Sequence, residues 1–263
     1  MTLSYGPHEV DAVLLDLDDV LVPFQTPAAW QWAWRPQGPV LGERRVKAAV
    51  RRALKGWDRR RWQGLTGKAP PANVEALRAH LADALATVAG HPLPPAETEA
   101  VVRRFLRPAG EVERYEDVPR ALDRLRSRGV KVGTVTPLPA ESARWLLHRC
   151  GLPETLLLGS GDGPGPCVPD RSVFRAAAEA LGAPPERVAY VGDLFWSDVR
   201  AAARAGLPSV LLDRRDAWPK VLTGRLTTLD VLEATLAAGG SPAETEGTGG
   251  AEGEPRNDPP PLD

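Results

Sequence analysis

Asp16 and Asp18 stand two residues apart, directly after the apolar run Val13-Leu14-Leu15, and the chain turns apolar again at Val20-Leu21-Val22. Carboxylates that follow an apolar run are costly to hide from water. They become useful where the run ends in a crevice and a metal ion or a reaction employs them. Asp-Asp is also ordinary turn chemistry, so by itself this stretch reads equally well as a strand followed by a polar turn. Further polar groups recur at the ends of other apolar runs: Thr136 after Val130 to Val135, Gly192-Asp193 after Val188 to Val191, and Asp198 five residues beyond Asp193. Four acids and a hydroxyl thus come from three segments far apart in the chain. Converging carboxylates repel one another, and some acquire raised pKa values. A hard divalent cation such as Mg²⁺ relieves this, because it takes a few carboxylates and keeps its other positions for water or phosphate oxygens. An aspartate can also serve as a covalent nucleophile in phosphoryl transfer.

The elements that carry these groups alternate. The apolar runs read as strands at residues 13–15, 130–135, 155–158, 188–191 and 209–212, with a last one near Leu226 to Leu229. Between them lie amphipathic helical patterns: Asp117 to Arg128, closed by Gly129; Ala140 to Cys150; a helix capped by Ser172 and running to Leu181; and Asp198 to Ala205, closed by Gly206. Strand and helix at this spacing predict an open, doubly wound parallel sheet with helices on both faces. In such a sheet ligands bind outside the carboxyl ends of the strands, where Asp16, Asp18, Thr136, Asp193 and Asp198 stand. Residues 1–9 read as a lead-in. Residues 23–111 differ in character: helical patterns, broken at Pro70-Pro71 and Pro92 to Pro95, with no convincing strand. Residues 238–263 are rich in Gly, Pro and Glu and bury too little to offset chain entropy, so a disordered acidic tail is expected there.

Composition narrows the function classes. With 263 residues, 43% hydrophobic and 25% charged, the chain reads as a globular protein. A net charge of -1 supplies no overall field toward nucleic acid or a membrane. Cys150 and Cys167 have no metal-ligand spacing and are too few for a disulfide framework. No basic n-region precedes the first apolar run and Asp16 interrupts it, so neither a signal peptide nor a membrane span is expected. The expectation is a cytoplasmic protein.

Together these residues resemble the motifs of the haloacid dehalogenase superfamily. The D-x-D-x-[TV]-L motif matches Asp16, Asp18, Val20 and Leu21. The strand-end Ser/Thr matches Thr136, and G-D-x-x-x-x-D matches Gly192, Asp193 and Asp198, followed by Ala201-Ala202 and Ala205-Gly206. The resemblance implies a Rossmann-like core of strand order 3-2-1-4-5, built from residues 1–22 and 112–237, with an all-α cap over 23–111. It implies a Mg²⁺-dependent phosphatase acting on a small phosphorylated metabolite. Asp16 would attack phosphorus and Asp18 would be the acid and base. Asp16, Asp18 through its backbone carbonyl, Asp193 and Asp198 would hold the metal, Asp198 through water. Thr136 would bind phosphoryl oxygens. The second acid, Asp18, argues against the dehalogenase branch.

The third motif departs. Where the superfamily has a lysine, the chain reads Val168-Pro169-Asp170-Arg171. Arg171 is one candidate to replace that cation at the phosphate, and a basic residue of the insert is another. A third reading is a phosphate-ligand binding or regulatory protein with impaired catalysis, and a phosphomutase would share the same first step. The insert carries Arg44, Arg45, Arg51, Arg52, Arg59, Arg60 and Arg61 beside Trp30, Trp32, Trp34, Trp57 and Trp62. A cationic, aromatic lid over an anionic substrate fits this pattern, but a solvated basic face over core tryptophans fits it better. Gly159 to Pro166 lacks the frame of a phosphate loop and reads as a flexible connection. No nucleic-acid or membrane partner is expected, and monomer and homodimer are equally compatible with the sequence.

Overall fold

A computed structural model of the chain describes residues 3–23, 113–153, 156–160, 170–214, 216, 218, 221–239 and 244–245, together with scattered positions between 56 and 100. Its centre is β3 (Ala12–Leu15), four residues buried without exception. Unbroken burial of this kind needs cover on both faces, and the neighbours provide it. Val13 and Leu15 face one apolar cluster, shared with α1 (Asp117–Ser127), α2 (Ala140–Arg149) and α5 (Leu232–Ala237). Ala12 and Leu14 face the other, built on α3 (Arg171–Ala180) and α4 (Arg200–Ala205). The period-2 alternation of one strand thus divides the molecule into its two helical layers.

β3 pairs in parallel with β4 (Lys131–Pro139) on one side and β6 (Val188–Gly192) on the other. β5 (Leu156–Ser160) extends the sheet beyond β4, and β7 (Ser209–Leu212) and β9 (Arg225–Leu226) extend it beyond β6. The spatial order β5-β4-β3-β6-β7-β9 is the predicted 3-2-1-4-5 with one short strand added at the edge. That last strand is two residues long rather than running to Leu229. Thr228 caps a 3₁₀ turn at Leu229–Val231 by accepting from the Asp230 amide, and this ends the extended chain.

Other boundaries also differ from the sequence reading, and β4 runs on to Pro139 rather than ending at Thr136. Residues Leu3–Tyr5 (β1) and His8–Val10 (β2) form an antiparallel hairpin rather than a lead-in. Leu3, Tyr5 and Val10 are its buried face, and Gly6 supplies the turn at φ 57. The cap of α3 is Asp170, not Ser172: its extended backbone lets the carboxylate accept from the Ser172 amide (2.8 Å) and hydroxyl (2.6 Å). The helix of the last motif begins with a π-helical turn at Phe195–Val199 before α4. Finally Glu244–Thr245 (β10), assigned to the tail, pair antiparallel with Thr223 and Val221 of β8 (Val221–Thr223).

Between 56 and 100 the described residues include helical positions at 79–80, 82–84 and 98–100, and no strand among them. The insert's arginine and tryptophan clusters, Val168 and residues 161–166 of the Gly-rich stretch lie outside the described residues, whereas Gly159 and Ser160, read as the start of that flexible connection, belong to β5.

Candidate active site

The carboxyl end of β3 is locked to its neighbour, because the Asp16 amide donates to the Val191 carbonyl at 2.9 Å. Asp16 is only 2% exposed, and its Oδ1 accepts from the Leu17 amide at 2.8 Å. The chain then folds tightly on itself. The amides of Leu21 and Val22 both donate to the Leu17 carbonyl, and the Asp19 amide donates to the Val22 carbonyl at 2.8 Å. Asp18 forms an isolated bridge with Val22. Asp19 holds the left-handed conformation at φ 57, which Asp tolerates better than most residues. Asp19 is thus the turn residue, as its place after Asp18 predicts.

At the end of β6, Gly192 has a steric reason to be glycine. A Cβ there would lie 2.7 Å from the Asp198 Cβ and 2.8 Å from the Tyr190 ring. That close approach lets Asp198 come back over the strand end. The π-helical turn completes the movement: the amides of Asp198 and Val199 both donate to the Leu194 carbonyl, and Asp198 Oδ2 accepts from the Leu194 amide at 3.3 Å. Such one-turn widenings recur at functional sites.

One oxygen from each of Asp16, Asp193 and Asp198 lies within 4.8 Å of the other two. The sequence thus predicts three acids that the structure brings together from β3 and the β6 end. Asp18 stands outside this trio, although its charge is felt at Asp193. The Asp193 carboxyl is pushed well above the usual carboxylate range, first by withdrawal from water and then by the charges of Asp19, Asp198, Asp16 and Asp18. This crowding of oxygens suits a hard cation: ligands of one Mg²⁺ sit at about 2.0–2.1 Å from it, which draws their oxygens together and removes their repulsion.

Thr136 is fully buried in β4 at the point where regular pairing with β5 stops, the register shifting between Thr136 and Pro139. Its Oγ1 accepts from the Leu138 amide at 3.3 Å, leaving its own proton to donate. Arg171 opens α3, on the carboxyl side of the sheet, but its side chain is exposed. Among the described residues it makes no ion pair with the acids, so the structure does not bring it into the trio.

Three residues around the site carry no motif. The Trp218 indole N–H donates to the Asp193 carbonyl at 3.0 Å. Its own amide donates to Asp213, which Arg225 also holds. Tyr115 donates its hydroxyl to the Asp19 carboxylate. Arg214 reaches the Val20 carbonyl at 3.0 Å. All three lie in loops, where no periodicity marks a residue, and only the folded geometry finds them.

A family model for haloacid dehalogenase-like hydrolases matches residues 10–206, which contain every acid of the trio. The chain belongs to this hydrolase family. Among curated relatives it is 32% identical over 134 residues to the glyceraldehyde 3-phosphate phosphatase of Methanopyrus kandleri, covering 49% of this chain and 56% of that one. It is 31% identical over 147 residues to the phosphoglycolate phosphatase of Rhodospirillum rubrum, covering 56% and 54% respectively. The chain thus spans about half the length of the curated relatives it matches. The solved L-2-haloacid dehalogenase of Xanthobacter autotrophicus superposes with a TM-score of 0.63 at 16% identity, over 86% of this chain and 98% of that one. At that identity the likeness is one of fold. No helix among the described residues of this haloacid dehalogenase-like hydrolase is long and apolar enough to cross a membrane.

Proposed function

We propose that the protein is a Mg²⁺-dependent phosphatase that hydrolyses a small phosphorylated metabolite. The observation that carries this reading is the convergence of Asp16, Asp193 and Asp198 at the carboxyl edge of the sheet, with a second acid, Asp18, two residues from the first. The phosphatases among its relatives support it.

In the proposed reaction an Asp16 oxygen attacks phosphorus and forms an aspartyl-phosphate as the ester P–O bond breaks. Asp18 gives its proton to the departing alkoxide. The Asp18 carboxylate then takes a proton from water, whose oxygen attacks phosphorus. The Asp16–phosphorus bond breaks and inorganic phosphate leaves. Asp16, Asp193, the Asp18 carbonyl and, through water, Asp198 are the groups that would hold Mg²⁺. When bound, the ion supplies positive charge that neutralises the carboxylates and the phosphoryl oxygens. The Thr136 hydroxyl donates to a phosphoryl oxygen, a fixed donor that needs no reorganisation during the reaction. A dehalogenase does not need an acid at position 18, and this separates the two chemistries that share the fold.

The test is phosphate release from a panel of esters that includes phosphoglycolate, glyceraldehyde 3-phosphate and p-nitrophenyl phosphate, with and without Mg²⁺. Release should require the ion and fall by more than about 10⁴-fold in Asp16→Asn, the scale seen when a covalent nucleophile is lost. Activity unchanged in that variant contradicts the mechanism.

Val168, in place of the superfamily's lysine, and the exposed side chain of Arg171 favour a second reading, a phosphate-ligand binding protein with little turnover. It predicts Mg²⁺-dependent binding of the same esters without phosphate release. Release of the partner isomer instead of phosphate would indicate a phosphomutase.

A further inference from the structure

The turn that follows Asp18 is gripped from outside at three consecutive residues. Tyr115 donates its hydroxyl to the Asp19 carboxylate and its amide to the Leu21 carbonyl (3.2 Å). Between them, Arg214 Nη2 donates to the Val20 carbonyl at 3.0 Å. The two gripping residues are joined to each other: the Arg214 guanidinium stacks 4.0 Å from the centre of the Tyr115 ring. Arg214 is in turn fixed by Asp117, with Nη1 at 2.8 Å and Nη2 at 3.0 Å from the carboxylate oxygens. Its side chain is 10% exposed, so this is a buried, two-armed pair rather than a surface contact.

We infer that Tyr115 and Arg214 are positioning residues that set the place of the Asp18 carboxyl, and through it the proton given to the leaving group. The inference rests on the phosphatase reading above. The turn's own bonds fix its shape but not its position relative to the sheet. Asp16 is held to the sheet through Val191; the turn beyond it is anchored by the buried side chains of Leu17, Val20, Leu21 and Val22, and its backbone and Asp19 are held in addition by Tyr115 and Arg214. Asp19 supports a specific role. A left-handed residue other than glycine costs roughly 1–2 kcal/mol, and glycine would remove that cost. Glycine, however, could not accept the Tyr115 hydroxyl. Conformations of this kind persist where their surroundings over-determine them, and here those surroundings are the two residues of the clamp. A carboxylic acid that must meet a departing oxygen is sensitive to its placement: a misplacement of about 1 Å can cost on the order of 10²-fold.

Tyr115→Phe keeps the ring beneath Arg214 and removes only the hydroxyl. Its kcat/KM is compared with wild type for phosphoglycolate, whose alkoxide needs a proton to leave, and for p-nitrophenyl phosphate, whose phenolate does not. The clamp predicts a loss of roughly 10²-fold for the alkyl ester and no more than a few-fold for the aryl ester. An equal loss on both, or none on either, overturns it, because a structural role does not distinguish leaving groups. Arg214→Lys retains a charge beside Asp117 but not the fork, and should show the same selective loss. A second readout needs no turnover. Amide hydrogen exchange at Leu21 and Val22 should quicken about tenfold in Tyr115→Phe while Val191 stays unchanged; unaltered exchange at the turn overturns the clamp. If the wild type releases no phosphate from either ester, the phosphatase reading fails, and the exchange experiment still decides the clamp.

Discussion

Asp117 and the trio Asp16, Asp193 and Asp198 are acid sites built on opposite principles. Asp117 is 6% exposed. Burial pushes its carboxyl up, but hydrogen bonds from Arg214, Thr228 and the Leu229 amide outweigh that and hold it below the usual 3.8. Every oxygen has donors: Arg214 at 2.8 and 3.0 Å, the Thr228 hydroxyl at 2.6 Å and the Leu229 amide at 2.8 Å. Asp16, Asp193 and Asp198 instead point at one another, and the Asp193 carboxyl is driven upward by burial and by its neighbours' charges. The first group binds α1 to the loop after β7 and to the turn before α5. In the second the carboxylates repel one another, and either protonation or a bound cation would relieve that repulsion. A buried acid whose oxygens are all met by donors is architecture, whereas carboxylates crowded against one another mark a candidate for chemistry.

The contrast can be broken at either end. The largest effect expected is on the architectural side. Asp117→Ala leaves the Arg214 charge buried without its partner and should cost about 3–5 kcal/mol in urea unfolding, whereas Asp193→Asn, by relieving repulsion, should cost nothing or stabilise the metal-free protein. Equal destabilisation by the two would erase the distinction. Next, Mg²⁺ at a hundred times its dissociation constant should raise wild-type stability by about 2.7 kcal/mol, with the gain lost in Asp193→Asn and kept in Thr228→Ala. Gly192→Ala should then cost about 1–3 kcal/mol by overpacking, since its Cβ must displace Asp198. Its phosphate release should fall further than that stability loss explains. The smallest effect is on pH dependence. The folded Asp117 carboxyl binds a proton less readily than the unfolded one, so its contribution is present above 3.8 and fades as the pH falls through its lower folded value. The urea midpoint of wild type should therefore drop more steeply below about pH 4 than that of Asp117→Asn.

Much of this was readable from the chain because it depends on local rules. A continuous apolar run followed by acids gives β3 and Asp16. Gly192-Asp193 and Asp198 follow from a strand end and a fixed spacing, and the doubly wound order follows from alternation. The features that were not readable depend on contacts between distant residues. Asp170, rather than Ser172, caps α3 because its backbone is extended there, and composition favours both equally. The π-helical turn at Phe195–Val199 has the same side-chain pattern as an ordinary helix start. Tyr115 and Arg214 are 99 residues apart by number, and nothing in either neighbourhood announces that they meet over Asp19 and Val20. Arg171 was legible as a cation at the right edge of the sheet, but not in where its side chain would go.

In the proposed mechanism Asp16 becomes phosphorylated. Borohydride reduces an acyl phosphate to an alcohol, so quenching the enzyme during turnover of p-nitrophenyl phosphate with Mg²⁺ should convert Asp16 to homoserine, identified by peptide mass. The modification should be absent without substrate and absent in Asp16→Asn. Reduction at another acid, or continued turnover with none at Asp16, would contradict the account.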